Sequence, residues 1–319
     1  MDIIEIRLPG QAKGTLRIQQ RRYSKPTTHA PPKQLSRQKA ATLIRSKRAS
    51  QYFGAFSDSK YLKDTAYTAI LPNISEFASI IPGNSMKWET TEPSKGTFSF
   101  TTADQIVDYA VDNGKWVRGH NLVRYSQLLS WVEAIADKDE LLSVMNNHIT
   151  TYVSAVYLHW GVVNEAKYRN SVFYNLLGVD YTATAFKTAR GADPDAKLYL
   201  NEYNNDYDVG AGAFCELAKN LTDAGVPING VGIQGHYILG GITTGLQNRV
   251  KALADLGLEV AITELDIRIP SHSTDAKLEQ QDEDYAYVTN ACLAVDGFVG
   301  ITVASFTDKY SWVPITFPG

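Results

Sequence analysis

The sequence predicts an α/β protein in which residues 49–319 form a (β/α)8 barrel, preceded by a basic extension over residues 1–48. Two observations carry this prediction. Apolar runs of strand length recur from Tyr52 onward with helical patterns between them, and polar side chains stand where several of those runs end. Strands that alternate with helices favour a parallel sheet, and eight such repeats favour a closed barrel with its site at the carboxyl ends of the strands.

The predicted elements follow one another in regular order along the chain. The intervening segments carry amphipathic spacing and stop at helix-ending residues: Ala103–Asn113 precedes Gly114, and Tyr181–Ala192 precedes Asp193-Pro194. The chain has 319 residues, 44% of them hydrophobic, which is enough for the large core of such a barrel. The predicted strands are Tyr52–Phe56, Ile80–Asn84, Trp116–Val123, Trp160–Asn164, Lys197–Asn201, Gly230–His236, Glu259–Glu264 and Gly300–Ser305.

The first fifty residues differ in charge from the rest of the chain. They hold 12 Lys or Arg against Asp2 and Glu5, a net charge of about +10, which leaves about −13 for the remainder. Residues 1–48 show no sustained apolar pattern, so we expect a disordered extension. A basic arm can bind nucleic acid or anionic lipid, but no aromatic interleaving or folded module supports this, and we expect neither partner. The start of the chain lacks the pattern of a secretory signal, so the localisation is undetermined.

Several classes of protein are excluded by what the sequence lacks. No run of eighteen apolar residues occurs, so no segment is predicted to span a membrane. Cys215 and Cys292 allow at most one disulfide and no cysteine-ligated zinc. Since no glycine-rich phosphate loop, HExxH motif or nucleotide fingerprint is found, we expect neither a cofactor nor a metal.

Polar residues gather at the ends of the predicted strands. In a parallel barrel these ends share one rim, so the side chains converge on a single ligand. So many groups able to form hydrogen bonds indicate a ligand with many hydroxyls rather than an apolar or phosphorylated one. The residues at these ends are Asn84 and Lys87 near strand two, His120 in strand three, Asn164-Glu165, Asn201-Glu202, Gln234 with His236, and Thr263-Glu264.

Two of these residues are glutamates at the ends of the fourth and seventh predicted strands. Hydrolysis of a glycosidic bond needs one carboxylic acid to protonate the leaving oxygen and one carboxylate to attack or to activate water. Glu165 and Glu264 can supply this pair. The spacing alone is permissive, because a glutamate at a strand end also serves as a helix cap or an ion-pair partner.

Several sequence blocks resemble the glycoside hydrolase family 10 endo-1,4-β-xylanases, in particular those of fungal type. The resemblance implies a (β/α)8 barrel, a retaining mechanism, and xylan or xylo-oligosaccharides as substrate. It also implies a monomer and, because members of the family are typically secreted, secretion. It covers most of residues 50–319. The blocks, in chain order, are Gly83–Glu89, Glu92–Gly96, Arg118–Val123 with Ser126-Gln127, Val163–Ala166, Asp193–Tyr199 and Ile262–Asp266.

The resemblance assigns roles to individual residues. Glu165 corresponds to the acid/base, for which we expect an apolar setting, and Glu264 to the nucleophile, which His236 orients. Asn164 corresponds to the ligand of the sugar 2-hydroxyl, and we assign Trp88 to packing. The residues that match the glycone side are Asn84, Lys87, His120, Gln234 and Trp312. Without the surrounding blocks, these residues also have structural interpretations: His120 or His236 as a buried histidine, Lys87 as a surface cation and Trp312 as a packing residue.

The chain also departs from the family pattern. Ala304 stands where the family has a tryptophan, which removes an aromatic platform, and Arg124 puts a fixed charge where an apolar ring is expected. That charge could serve an acidic branch of xylan. Phe298 stands at the position of the cysteine that would pair with Cys292, so we expect both cysteines to be free. The other departures are Gly83, Tyr125, Gly161, shortened loops on both sides of strand four, and no closing helix after strand eight.

Two hypotheses of different class remain at this point. The first is a retaining endo-1,4-β-xylanase, supported by the presence of both glutamates. The second is a non-catalytic or vestigial xylan-binding barrel, supported by the departures from the family pattern.

Overall fold

A computed structural model describes residues 51–74, 76–155, 159–166, 170–203 and 208–318, without the side chains of 155 and 208–211. The predicted extension over residues 1–48 lies outside the described residues. So do residues 156–158 and 167–169, which belong to the shortened loops predicted on either side of strand four.

The described residues form nine strands, all paired in parallel. Eight of them close into a barrel, because the first strand pairs with the last and β6 pairs with β8. The prediction of a (β/α)8 barrel is therefore confirmed. The strands are β1 (Tyr52–Ser57), β2 (Ser79–Pro82), β3 (Trp116–Arg124), β4 (His159–Asn164), β5 (Leu198–Glu202), β6 (Gly230–Ile233), β7 (His236–Ile238), β8 (Glu259–Arg268) and β9 (Phe298–Val303).

The helices lie mostly between the strands, as the pattern predicts. The predicted helix Tyr181–Ala192 has these bounds in the structure, and the one predicted over Ala103–Asn113 begins two residues earlier, at Thr101. The helices are α1 (Trp88–Thr91), α2 (Thr101–Asp112), α3 (Ser130–Glu133), α4 (Lys138–Ala155), α5 (Val172–Leu177), α6 (Tyr181–Ala192), α7 (Asp208–Asp223), α8 (Leu246–Ala254), α9 (Asp275–Leu293) and α10 (Val313–Thr316). None of the described helices combines the length and apolar character needed to cross a membrane.

The sixth predicted strand, Gly230–His236, is divided into two. Gly235 has φ +79°, a left-handed conformation that disfavours side chains, and a Cβ there would lie 2.9 Å from Ile262 Cγ2. The chain turns at this glycine and continues as β7, which pairs with the second half of β8. The turn therefore brings His236 opposite Asp266 in the β7–β8 register.

Trp88 belongs to the core, as predicted. It is 3% exposed, and its ring stacks on His148 with centroids 3.8 Å apart. His148 Nδ1 lies 2.8 Å from Glu92 Oε2, and both side chains are buried. Burial lowers the pKa of His148, although the Glu92 carboxylate opposes this. This buried pair fixes the segment after β2 against α4.

Two further predictions concern the pairing of the cysteines and the absence of a closing helix after the last strand. Cys215 and Cys292 are both free thiols, and burial raises the pKa of each. After β9 the described chain forms a 3-10 helix, Asp308–Tyr310, and the four-residue helix α10. The barrel sheet is closed before this segment begins, since β9 already pairs with both β8 and β1.

Candidate active site

The carboxyl ends of the strands surround a cleft of about 1210 Å³. It brings together all nine site residues expected from the sequence. They are Asn84, Lys87, His120, Asn164, Glu165, Gln234, His236, Glu264 and Trp312.

The two glutamates reach the cleft in different ways. Glu165 follows the last residue of β4 and has φ +63°, which turns the chain away from the strand direction. Its backbone N–H donates to the Asn201 carbonyl at 2.8 Å. Glu264 lies within β8, where the pairing with β9 shifts register between Ile262 and Leu265. Such an irregularity redirects side chains at the rim of a barrel. Both glutamates are nearly buried, at 3% and 8% exposure.

Two amide side chains connect the two carboxylates. Asn201 Nδ2 donates to Glu264 Oε1 at 2.8 Å and to Asn164 Oδ1 at 2.7 Å. Asn164 Nδ2 in turn donates to Glu165 Oε1 at 2.8 Å. Thr263 completes the chain, because its hydroxyl donates to Asn201 Oδ1 at 2.6 Å and fixes the orientation of that amide. This network holds both carboxylates at defined positions in one cleft.

An imidazole lies between Glu264 and a second acid on the same strand. His236 Nε2 is 3.4 Å from Glu264 Oε2, and its Nδ1 is 3.0 Å from Asp266 Oδ2. Burial disfavours charge on the ring, but the hydrogen bonds to the two carboxylates outweigh it and raise the pKa of His236. Burial also acts to raise the pKa of Glu264, but the hydrogen bond from His236 and nearby positive charge outweigh it and lower the pKa. Glu264 is therefore held as a carboxylate.

The surroundings of Glu165 differ from the apolar setting that the sequence analysis expects. Arg124 Nη2 donates to Glu165 Oε1 at 2.9 Å, and Gln234 Nε2 donates to the same oxygen at 3.1 Å. The expectation is wrong because β3 and β4 are paired strands, and their register puts Arg124 opposite Asn164, the residue before Glu165. The charged side chain therefore lies beside the Glu165 carboxyl group. The guanidinium also donates to Gln127, so both of its terminal nitrogens have partners within the protein.

A second polar network lines the side of the cleft formed by β1 and β2. Asp58 accepts hydrogen bonds from the backbone and the side chain of Asn84, at 2.7 and 2.9 Å. Lys87 Nζ donates to Asn84 Oδ1 at 3.0 Å and to Gln127 Oε1 at 2.9 Å. Burial lowers the pKa of Lys87. Burial also lowers the pKa of His120, to about 4, so this ring is neutral near neutral pH.

An exposed tryptophan, Trp312, faces this polar surface. Trp312 is 38% exposed, and its indole Nε1 donates to Asp266 Oδ2 at 2.6 Å. Its ring meets His236 edge to face, with centroids 5.0 Å apart. Ala304 lines the same cleft with only a methyl group. At position 304 the cleft therefore has no aromatic ring, whereas the family pattern has a tryptophan there.

Sequence reasoning missed two residues that organise the cleft, Asp58 and Asp266, and it placed Asn201 on the rim without assigning it a role. Asp58 directly follows β1, and Asn201 belongs to the rim residues at the end of β5. Asp266 is two residues beyond Glu264, so it shares a face of β8 with it. Strand-end position and the two-residue period of the strand were the signals that could have found them.

Cleavage of a bond between sugars uses two carboxyl groups in different ionisation states, with polar groups around them to hold the hydroxyls. The barrel and its cleft thus define a glycoside hydrolase. The model of glycosyl hydrolase family 10 matches residues 42–318. The chain belongs to glycosyl hydrolase family 10.

Relatives and solved structures agree with this family. Endo-1,4-beta-xylanase A of Phanerodontia chrysosporium is 48% identical over 292 residues, 88% of this chain and 71% of that protein. Endo-1,4-beta-xylanase of Agaricus bisporus is 45% identical over 282 residues, 84% of both chains. Native xylanase 10B from Thermotoga maritima superposes with a TM-score of 0.81 at 34% identity, covering 89% of this chain and 90% of that one. A GH10 xylanase from Bispora sp. MEY-1, crystallised with xylobiose, gives 0.80 at 33% identity, again covering 89% and 90%.

Proposed function

We propose that this protein is a retaining endo-1,4-β-xylanase that hydrolyses internal β-1,4-xylosidic bonds of xylan and xylo-oligosaccharides by double displacement. Glu264 is the nucleophile and Glu165 is the acid/base. The observation that supports this most directly is that Glu264 is held as a carboxylate by His236, in the same cleft and the same hydrogen-bonded network as Glu165.

The reaction then has two balanced steps. In the first, a Glu264 oxygen bonds to the anomeric carbon while the bond to the leaving oxygen breaks, and Glu165 gives that oxygen its proton. In the second, a water oxygen bonds to the anomeric carbon, Glu165 takes the water proton, and the bond to Glu264 breaks. Each step leaves the two glutamates ready for the next.

The other polar residues bind the sugar on the glycone side. Asn164 contacts the 2-hydroxyl, a contact that strengthens as positive charge develops at the anomeric carbon. Asn84, Lys87, His120 and Gln234 supply the donors and acceptors for further hydroxyls, and Trp312 offers its exposed ring face as a platform. One chain contributes all of these residues, so we propose that the protein acts as a monomer.

The alternative, a non-catalytic or vestigial xylan-binding barrel, is not favoured. A protein under no catalytic requirement has no need for a buried carboxylate held ionised beside an imidazole, since burial of charge is costly. Both glutamates and their amide partners are present, and the named relatives are xylanases.

Proton NMR of the first sugar released from xylotetraose tests the mechanism. Two displacements at the anomeric carbon invert it twice, so the initial product is the β-anomer, and mutarotation then produces the α-anomer. An initial α-anomer contradicts the assignment of Glu264 as nucleophile. Absence of any product, with the folded state verified by circular dichroism, contradicts the proposed function.

Replacing Ala304 by tryptophan is expected to tighten substrate binding. The indole restores stacking area over a sugar, worth about 1 kcal/mol, so KM for xylotetraose falls roughly fivefold with little change in kcat. Ala304→Leu is the matched control, because it adds apolar bulk without an aromatic face. The expectation fails when both variants change KM equally, or when Ala304→Trp raises it.

A further inference from the structure

The two oxygens of the Glu165 carboxyl group have unequal surroundings. Oε1 accepts three hydrogen bonds, from Arg124 Nη2 at 2.9 Å, Asn164 Nδ2 at 2.8 Å and Gln234 Nε2 at 3.1 Å. Oε2 is buried and accepts none from any described residue. Because N–H donors already occupy Oε1, a proton on this carboxyl has room only on Oε2.

Arg124 differs in kind from the other two donors to Oε1. Asn164 and Gln234 are neutral amides, whereas the guanidinium carries a permanent charge. Its side chain is 22% exposed and the Glu165 side chain 4%, so solvent screens the pair only partly. Arg124 ends β3, and Gln127, which also accepts from Lys87, holds its other terminal nitrogen. The charge is thus anchored beside the carboxyl group.

We propose that Arg124 is a positioning residue for the acid/base: it fixes Oε1 as the acceptor oxygen, leaves Oε2 to exchange the proton, and holds a permanent positive charge against the carboxyl group. This inference rests on the proposed function, since it assigns Glu165 to proton transfer. In the first step the proton leaves Oε2 for the oxygen of the breaking glycosidic bond. In the second step Oε2 takes the proton of the attacking water, whose oxygen bonds to the anomeric carbon.

The charge of Arg124 has opposite consequences for the two steps. The first step needs protonated Glu165, and the second needs it ionised. Other charged or titratable groups line the cleft from every side. They are Asp58 and Lys60 after β1, Lys87 after β2, His120 on β3, His236 on β7, Glu264, Asp266 and Arg268 on β8, and the tyrosines Tyr61, Tyr125, Tyr203, Tyr237 and Tyr310. Among the described residues, none of these is hydrogen-bonded to Glu165, whereas Arg124 is. Arg124 is therefore the permanent charge in direct contact with the carboxyl group that exchanges the proton.

Kinetic pH profiles of Arg124→Gln and Arg124→Lys test this role. For Arg124→Gln we expect the alkaline limb of kcat/KM with xylotetraose to move up by about one pH unit, since a neighbouring opposite charge is lost. Arg124→Lys keeps the positive charge, so the alkaline limb of its profile stays near that of the wild type. Its rate falls, because lysine lacks the planar guanidinium that donates to two acceptors at once. A purely structural role lowers the rates of both variants without moving either limb. Lys95→Gln, which breaks an exposed ion pair with Glu140, is the control.

A titration without turnover separates this inference from the proposed function. Carbon-13 NMR of glutamate-labelled protein follows the Glu165 carboxyl directly, with Glu165→Gln used to assign its resonance. We expect the midpoint in Arg124→Gln to lie about one pH unit above that of the wild type. Equal midpoints overturn the inference, whether or not the protein hydrolyses xylan. Loss of xylan hydrolysis in the wild type, with the midpoints still separated, overturns the proposed function and leaves the effect of Arg124 on Glu165 supported.

Discussion

Glu264→Ala is expected to abolish turnover of xylan and xylo-oligosaccharides. The variant has no oxygen to bond to the anomeric carbon, so the first displacement cannot occur. We expect kcat to fall roughly 10^4-fold or more, the scale seen when a catalytic group of this kind is removed. The measurement is reducing-sugar release from xylan, with thermal unfolding by circular dichroism to verify that the barrel is folded.

Glu259→Ala is the matched control for this variant. Glu259 is the first residue of β8, five residues before Glu264; it binds Lys197 and the Tyr199 hydroxyl and does not line the cleft. The two variants make the same chemical change on the same strand, so only the position differs. Hydrolysis by folded Glu264→Ala at the rate of the control contradicts the catalytic assignment and leaves the binding or vestigial hypothesis standing.

Glu165→Ala is expected to lower kcat/KM most for substrates whose leaving group must be protonated as it departs. Xylo-oligosaccharides release a poorly acidic sugar hydroxyl, so kcat/KM falls by roughly 10^2- to 10^4-fold. A dinitrophenyl xylobioside releases a stabilised phenolate, which departs without protonation, so its kcat/KM falls far less. In the variant, hydrolysis of the glycosyl-enzyme still lacks a base and is therefore slow. A burst of phenolate release then precedes a slow steady state.

Glu165→Gln separates proton transfer from positioning in the same assay. The amide keeps the size of the side chain and an oxygen for Asn164, Gln234 and Arg124, but it cannot act as an acid at neutral pH. It should show the same dependence on leaving group as Glu165→Ala. Equal losses for the two substrate classes in both variants would contradict the acid/base role of Glu165.

The sequence by itself predicted most of the architecture because periodicity and helix-ending residues are local signals. The helix Tyr181–Ala192 was found to the residue, since Asp193-Pro194 ends it. The strand predicted over Gly230–His236 was not, because the division at Gly235 depends on the proximity of Ile262 and on the pairing of β7 with β8. That contact arises between segments far apart in the chain.

The site shows the same division between local and tertiary information. Strand-end positions determined that Glu165, Glu264 and the other polar residues share one cleft, because a parallel barrel brings all carboxyl ends of its strands to one rim. The partners of these residues were decided by strand register. Register pairs Arg124 with Asn164 and His236 with Asp266, which puts a permanent cation beside Glu165 and an imidazole between two carboxylates. Charge interactions depend on separations of a few ångströms, and only the packed barrel sets those separations.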